Sequence, residues 1–195
     1  MNQIDDSRVA FYVKHEKLIR EWAGLEQECQ ALVHDYVVTC LDDLEDLARS
    51  LGEDMFVWSD TKDAKVPKLL IHRRGWTGTG GRPRVGIGLA WTHGKATFAG
   101  PSRPYTGVYV DLTQDGGPSL HGELKSRLKL KGVLQRTGYQ LGTEWATWRY
   151  EDAPEGEYWL DLQGYREQLV KAVREGWELM SEHVDMAVNP TASVA

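Results

Sequence analysis

Several residues in the middle of the chain have the types that divalent-metal hydrolysis uses. Asp60 closes one run of β-forming residues and Asp111 closes another, while Asp63-Ala64-Lys65 and Glu123-Leu124-Lys125 are acid-x-lysine triplets. Carboxylates on neighbouring strands can hold a hard divalent cation that polarises an attacking water. That chemistry needs its groups on paired strands. Asp63 and Lys65 fall in a turn-like segment, and Glu123 and Lys125 fall in a helical pattern. Asp60, Asp111, Glu123 and Lys125 are therefore the candidates for a metal-dependent nuclease, without the strand context that such a site uses.

Other catalytic signals are weaker. The six histidines (His15, His34, His72, His93, His121 and His183) show no HxH, HxxxH or HExxH spacing, so neither a zinc site nor another cofactor is expected. Cys29 and Cys40 occupy apolar positions of a helical pattern and read as buried core thiols, which suits a reducing compartment. No GxSxG elbow is present.

Two stretches have the composition of binding surfaces. The segment from Arg73 to Arg84 places Arg73, Arg74, Arg82 and Arg84 around a glycine-rich loop. A proline and a strand follow it, where a phosphate-binding loop would open a helix. It reads as a flexible inter-strand loop that could still meet an anion or a nucleic-acid backbone. The second stretch, EWATWRYEDAPEGEYW, sets Trp145, Trp148, Tyr150, Tyr158 and Trp159 among acidic residues. Its aromatics are expected mainly as a seam clamping the last helix onto the sheet, with an exposed partner-binding patch as the alternative.

The elements that must position these residues follow from periodicity. Between Val9 and Leu51 apolar residues recur in a three-four rhythm through Leu18, Trp22, Leu25, Cys29, Leu32, Tyr36, Cys40, Leu44 and Leu47. One straight helix over that span would be about 65 Å long. A domain of this size is only about 40 Å across. The helix is therefore expected to break near Gly24 or Val37-Val38-Thr39, or else to project and pair with another chain. Short β-type runs follow at 55–59, 68–72, 84–91, 95–99 and 106–112, with a hairpin expected around His93-Gly94. In VGIGLAW, Val85, Ile87, Leu89 and Trp91 share one face and Gly86, Gly88 and Ala90 the other, the pattern of a central strand covered on both sides. Helical period returns at 120–130 and again from Asp161 to Val188.

The expected fold is α+β: a mostly antiparallel sheet of about five strands, flanked by a long N-terminal helix or helical hairpin and a C-terminal helix. Residues 1–188 form one domain and 189–195 a flexible tail. The formal net charge of −6 over 195 residues argues mildly against a partner bound by phosphate neutralisation. No apolar run is long enough to span a membrane, and the first residues lack signal-peptide character, so the cytoplasm is the expected location.

The order of segments PKLLIHRRGW, RVGIGLAW, SRPYTGVYV and TWRY…EYWLDLQGYREQLVKAV resembles a set of uncharacterised bacterial and phage-borne proteins. Pro104-Tyr105-Thr106-Gly107-Val108 and Trp148-Arg149-Tyr150 also resemble parts of PD-(D/E)xK nuclease-like proteins, where a "PYxGI"-type strand precedes a tryptophan-containing segment and a final helix. This resemblance covers about the second half of the chain and implies the fold more than the activity. The leading expectation is a non-enzymatic, protein-binding regulator or inhibitor, with phage–host conflict as the setting the resemblance implies. The alternatives are a divergent metal-dependent nuclease or nucleic-acid-binding enzyme, and a structural homodimer joined through the N-terminal helix.

Overall fold

The computed structural model describes residues 6–61, 67–92, 103–130, 132, 137–152 and 160–189. Helix α1 (Ser7–Val38) starts on Asp6, whose carboxylate accepts a hydrogen bond from the Arg8 amide at 2.9 Å. It runs through Gly24 without interruption and stops at Thr39. There the threonine hydroxyl donates to the Tyr36 carbonyl, a local bond of the kind that bends helices. Helix α2 (Cys40–Leu51) begins at once and presents Cys40, Leu44, Leu47 and Ala48 to the core. Of the two expected break points, only the one at Val37-Val38-Thr39 is used.

The strands are β1 (Met55–Asp60), β2 (Lys68–Arg73), β3 (Val85–Trp91), β4 (Pro104–Val110), β5 (Gln140–Leu141) and β6 (Trp145–Tyr150). They form one six-stranded sheet in the order β1-β2-β3-β4-β6-β5, and every neighbouring pair is antiparallel. Helix α3 (Gly117–Leu130) lies between β4 and β5 in sequence, and α4 (Leu162–Val188) follows β6. Asp161 caps α4 by accepting from the Gly164 amide at 2.9 Å.

One face of the sheet carries the main core. Leu69, Ile71, Val85, Ile87, Leu89, Val108 and Val110 pack there against Leu44 and Leu47 of α2, Leu124 and Leu128 of α3, and Leu169, Val173, Trp177, Met180 and Val184 of α4. The helical period expected from Asp161 to Val188 thus forms a helix with one buried face. At the base of α1, Val37 is fully buried and Arg166 of α4 reaches across to Asp43 at 2.6 Å and to the Thr39 carbonyl at 3.2 Å. The same guanidinium lies 4.9 Å from the centre of the Tyr36 ring.

Strand β3 is buried at every position, as a central strand should be. The cover of its glycine face differs from a second layer of helices: Leu70, Ala90 and Trp145 form a small cluster there with Trp58, Tyr105, Tyr109 and Trp148. Strand β6 is the main departure from expectation, since Trp145–Tyr150 reads in sequence as the approach to the last helix. A register shift between Val108 and Tyr109 places Thr147 and then Trp145 opposite successive β4 residues, leaving Ala146 as the extra residue of a bulge. Ala146 and Thr147 are consequently both buried, and the two-residue alternation that marks a strand is lost. The expected strand at 95–99, the hairpin at His93-Gly94 and the tail beyond Asn189 lie outside the described residues.

Gly88 and Gly107 face each other across β3 and β4. A Cβ on Gly88 would stand 1.9 Å from the Leu69 carbonyl oxygen, and one on Gly107 would stand 2.0 Å from that of Thr147. Because those atoms are backbone, no side-chain rotation relieves the overlap. Gly88→Ala and Gly107→Ala are each expected to lower unfolding free energy by about 3 kcal/mol or more. Urea denaturation followed by circular dichroism reads the loss, and a change below about 1 kcal/mol would show that the strands can separate at little cost.

Candidate functional site

The sheet face opposite the helices is an aromatic surface built by register. One cross-strand row runs Trp58, Leu70, Gly88, Gly107, Trp148 and Gln140. The row beside it runs Asp60, Lys68, Ala90, Tyr105 and Tyr150. On the other side of the first row, Gly86 pairs with Tyr109, and Tyr109 with Trp145. Bulky rings from β1, β4 and β6 therefore stand around Gly86, Gly88 and Ala90 of β3 and Gly107 of β4.

The rings pack edge to face. Tyr105 meets Trp145 at 5.1 Å and Trp148 at 6.0 Å between centroids, and Trp148 meets Tyr150 at 4.8 Å. Such geometry sets the positive edge of one ring against the negative face of the next. Beside them opens a cleft of about 270 Å³ lined by Tyr105, Trp145, Trp148, Tyr150, Thr92 and the 142–144 turn, with Glu144 the one charged lining residue among those described. A second cleft of about 300 Å³ on the β1–β2 side is lined by Phe56, Trp58, His72 and Arg74 among others. Cations already sit on this face: Lys68 over Tyr109 at 5.3 Å, Arg74 over Phe56 at 5.5 Å and Arg103 over Tyr150 at 4.7 Å.

Tyr105, Tyr109 and His72 on this face are held toward their neutral forms. Burial, with Glu144 adding to it, pushes the Tyr105 phenol up to about 12. Burial together with the carboxylates of Asp111, Glu144 and Asp60 does the same for Tyr109. Burial holds the His72 imidazole below its ordinary value, and its Nδ1 lies 3.1 Å from the Arg73 carbonyl. The surface can stack, donate hydrogen bonds and hold cations on rings.

On the helix side of β4 and β6 the polar groups satisfy one another. Buried Glu151 accepts from the Thr106 hydroxyl and from Arg149 Nε, the latter at 2.9 Å. Arg149 also reaches Glu175 at 3.1 Å and lies over Tyr139 at 4.9 Å. Burial opposes the charge on Arg149, but its bonds to Glu151 and Glu175 more than offset this and raise its pKa. This network fixes two strands to α4 and is structural in character.

The arginine loop is a tied structure in place of the expected flexible connection. Trp76 is buried, donates from Nε1 to Asp185 at 2.9 Å and packs on Trp177 at 5.1 Å. Gln114 accepts from the Thr79 amide at 3.0 Å and donates to the Pro83 carbonyl at 3.3 Å, and Gly80 takes a φ of 68° between them in sequence. The four arginines divide. Arg73 pairs with Asp185 at 3.3 Å and Arg84 is half-buried, whereas Arg74 and Arg82 are exposed.

The catalytic candidates are not brought together. Asp60 belongs to the row that reaches Tyr105 near the start of β4, whereas Asp111 follows the far end of that strand. Asp111 is occupied by Thr113 and Gln114; burial would raise its pKa, but these hydrogen bonds outweigh it and hold the carboxyl below the usual range. Glu123 and Lys125 lie on α3, as their helical pattern predicted. Glu123 binds Arg127 at 2.7 Å, and Lys125 donates to the Gly142 carbonyl at 3.0 Å. Among the described residues no three His, Cys, Asp or Glu side chains are grouped to hold a metal ion. Asp63, Lys65 and Trp159 lie outside the described residues.

Trp145, Trp148 and Tyr150 come together, with Trp145 buried, Trp148 half-buried and Tyr150 exposed. They belong to a strand and turn away from the helices, so the expected clamp on the last helix is replaced by a sheet face. Tyr105, Tyr109 and Trp58 complete that face. The sequence signal that could have found them was the alternation in PYTGVYV, which sets both tyrosines on the glycine side.

A second surface is the length of α1. Every described side chain from Ser7 to Cys29 is exposed or half-exposed, and Phe11, Trp22 and Leu32 are 60%, 66% and 70% exposed. The expectation that both cysteines are core residues is corrected here. Cys40 is buried, which pushes its thiol up to about 12, but Cys29 is exposed because α1 has left the body at that point. The exposed residues Phe11, Leu18, Leu25 and Leu32 recur every seven positions, as do His15, Trp22, Cys29 and Tyr36 four positions later. That is a heptad seam with leucine at most d positions. It lies to one side of the stripe through Val33 and Val37 that meets the body. Ion pairs Glu16–Arg20 at 2.8 Å and Lys17–Glu21 at 3.8 Å flank it on the outside.

No helix among the described residues is long and apolar enough to cross a membrane. Compared with family models, with curated proteins and with solved structures, the chain matches none.

His72 supplies a pH test of the aromatic face. Its folded pKa lies below the unfolded value, so the unfolded chain takes up the proton first as pH falls. Stability is then fully present above about pH 6.5 and declines below it. His121 shifts in the same direction, through burial and then Lys125. The urea midpoint should fall between about pH 7.5 and pH 5.5, with a shallower fall in His72→Gln. Equal slopes in the two proteins would mean that His72 is not held neutral by its site.

Proposed function

We propose that this chain is a non-enzymatic binding protein that works by pairing the α1 seam with a helix of a protein partner. The observation that carries the reading is the heptad run from Phe11 to Leu32 on a face of α1 that the body leaves uncovered, continued by Tyr36 at the root, where Arg166 lies over one side of the ring. Helices draw most of their stability from packing an apolar face, and an isolated one is marginal in water. Four heptads of exposed Phe, Leu, Trp and Tyr gain that packing when a second helix inserts its own side chains between them.

A regulatory or inhibitory role follows if the partner's own helix is occupied by α1, and the phage–host setting rests on the resemblance alone. The cytoplasm suits a chain that exposes Cys29 as a free thiol, since reduced thiols persist there. A second reading has its own support in the sheet face, where rings and the cations Lys68, Arg74 and Arg103 alternate as they do on single-strand nucleic-acid surfaces. The net charge of −6 weighs against it.

Both readings meet one experiment. The Leu18→Glu/Leu25→Glu double variant changes only exposed seam positions, so amide hydrogen exchange in β3 and α4 should match the unsubstituted chain. Tagged full chains recovered from cell extract should differ, with the variant losing the protein that accompanies the unsubstituted chain, whether another protein or an untagged copy. Equal protein recovery by both would sink the α1 reading. Nucleic acid recovered by both, with no protein, would favour the sheet face.

A further inference from the structure

We propose that the partner of α1 is a second copy of this chain, and that the two helices pair antiparallel along the Phe11–Tyr36 seam. The inference rests on the reading that α1 is the binding element and adds the identity and direction of what it binds.

Side-chain volume sets the direction. In a parallel pair each seam residue meets its own copy, which gives successive layers of His15, Trp22, Cys29 and Tyr36 against themselves. A layer of two indoles would then be followed, one heptad on, by a layer of two thiols: overfull, then hollow. Cores tolerate neither, because interiors pack at nearly constant density. Reversing one helix removes the conflict. The steps between seam residues alternate four and three and read the same in both directions, so the two sets of positions exchange. Trp22 then meets Leu25 of the second copy, Leu18 meets Cys29, His15 meets Leu32 and Phe11 meets Tyr36. Each inner layer contains one leucine, and the largest residue is matched with a medium one.

Overlap and charge agree with that direction. The seam's midpoint falls between Trp22 and Leu25, close to the middle of the helix Ser7–Val38. Antiparallel copies therefore overlap along the whole seam, about 38 Å at 1.5 Å per residue. The two bodies leave from opposite ends. Parallel pairing would instead set two chains of formal charge −6 side by side. Flanking the seam, Lys14 comes opposite Asp35 of the second copy at each end. Glu21 faces Glu28 nearer the centre, an exposed repulsion that solvent screens. Gly24 lies away from the seam with nothing within 4 Å of where its Cβ would be. It weakens the lone helix, so the helix depends more on a partner.

Orientation is read by native Cys29 and one introduced thiol. Antiparallel pairing sets the two Cys29 residues about 16 Å apart along the axis, beyond disulfide reach. Purified full chain should sediment at twice the chain mass at micromolar concentration and give no covalent dimer on mild oxidation. The Leu18→Cys variant should give one, and peptide mass mapping should show the introduced thiol joined to Cys29 of the other copy. Because Leu18→Cys could weaken the pairing, a spin label at Lys17→Cys in a Cys29→Ser background gives a second measurement. Two such labels are offset by about 20 Å along the axis when antiparallel and by nothing when parallel.

A Cys29–Cys29 disulfide, or labels with no axial offset, would overturn the proposal. So would a monomer at all concentrations. In the monomer case, loss of a protein from extract by Leu18→Glu/Leu25→Glu would leave helix pairing standing and remove only the second copy. A dimer that survives Leu18→Glu/Leu25→Glu unchanged would also overturn it, by placing the contact elsewhere.

Discussion

The structure depends on the close approach of four backbones at the middle of the sheet. Gly88 and Gly107 stand opposite each other with neighbouring carbonyls where side chains would be. Their strands can therefore be buried on both faces without a second layer of helices. On one side α2, α3 and α4 supply the apolar cover. On the other, the cover comes from rings that belong to the sheet itself. Larger residues at these two positions would separate β2, β3, β4 and β6, and the aromatic face would lose its register along with the core.

That asymmetry separates two kinds of surface. The helix side closes polar groups on one another, as in the set Thr106, Glu151, Arg149, Glu175 and Tyr139, and leaves little to offer a ligand. The ring side keeps Tyr150 and Phe56 exposed, with clefts at either end of the rows. Helix α1 adds a surface of another type, extended and apolar along one seam.

Much of this was legible in the sequence where the signal was local. The helical period that forms α4, the two faces of β3 and the helical placement of Glu123 and Lys125 all follow from spacing within one element. The parts that were not legible depend on pairing between distant segments. Strand β6 hid behind its bulge, because Ala146 and Thr147 are buried in succession. The aromatic rows exist only once β1, β4 and β6 take their register, which no single stretch contains. Cys29 read as core because a helical apolar stripe looks the same whether its own body or another chain covers it. Cys40 has the same type and rhythm, and is buried only because it lies beyond the bend at Thr39.

The clamp at that bend has a mechanical consequence. Arg166 holds Asp43, the Thr39 carbonyl and the face of Tyr36 together, and it grows from the helix whose buried side forms the centre of the core. The arm is thus fastened at its root by a side chain that itself cannot shift without moving α4. Leverage applied anywhere along α1 is delivered to the body as torque at one joint. A load on the arm therefore reaches the core at its root, where Arg166 and the buried Val37 meet the body.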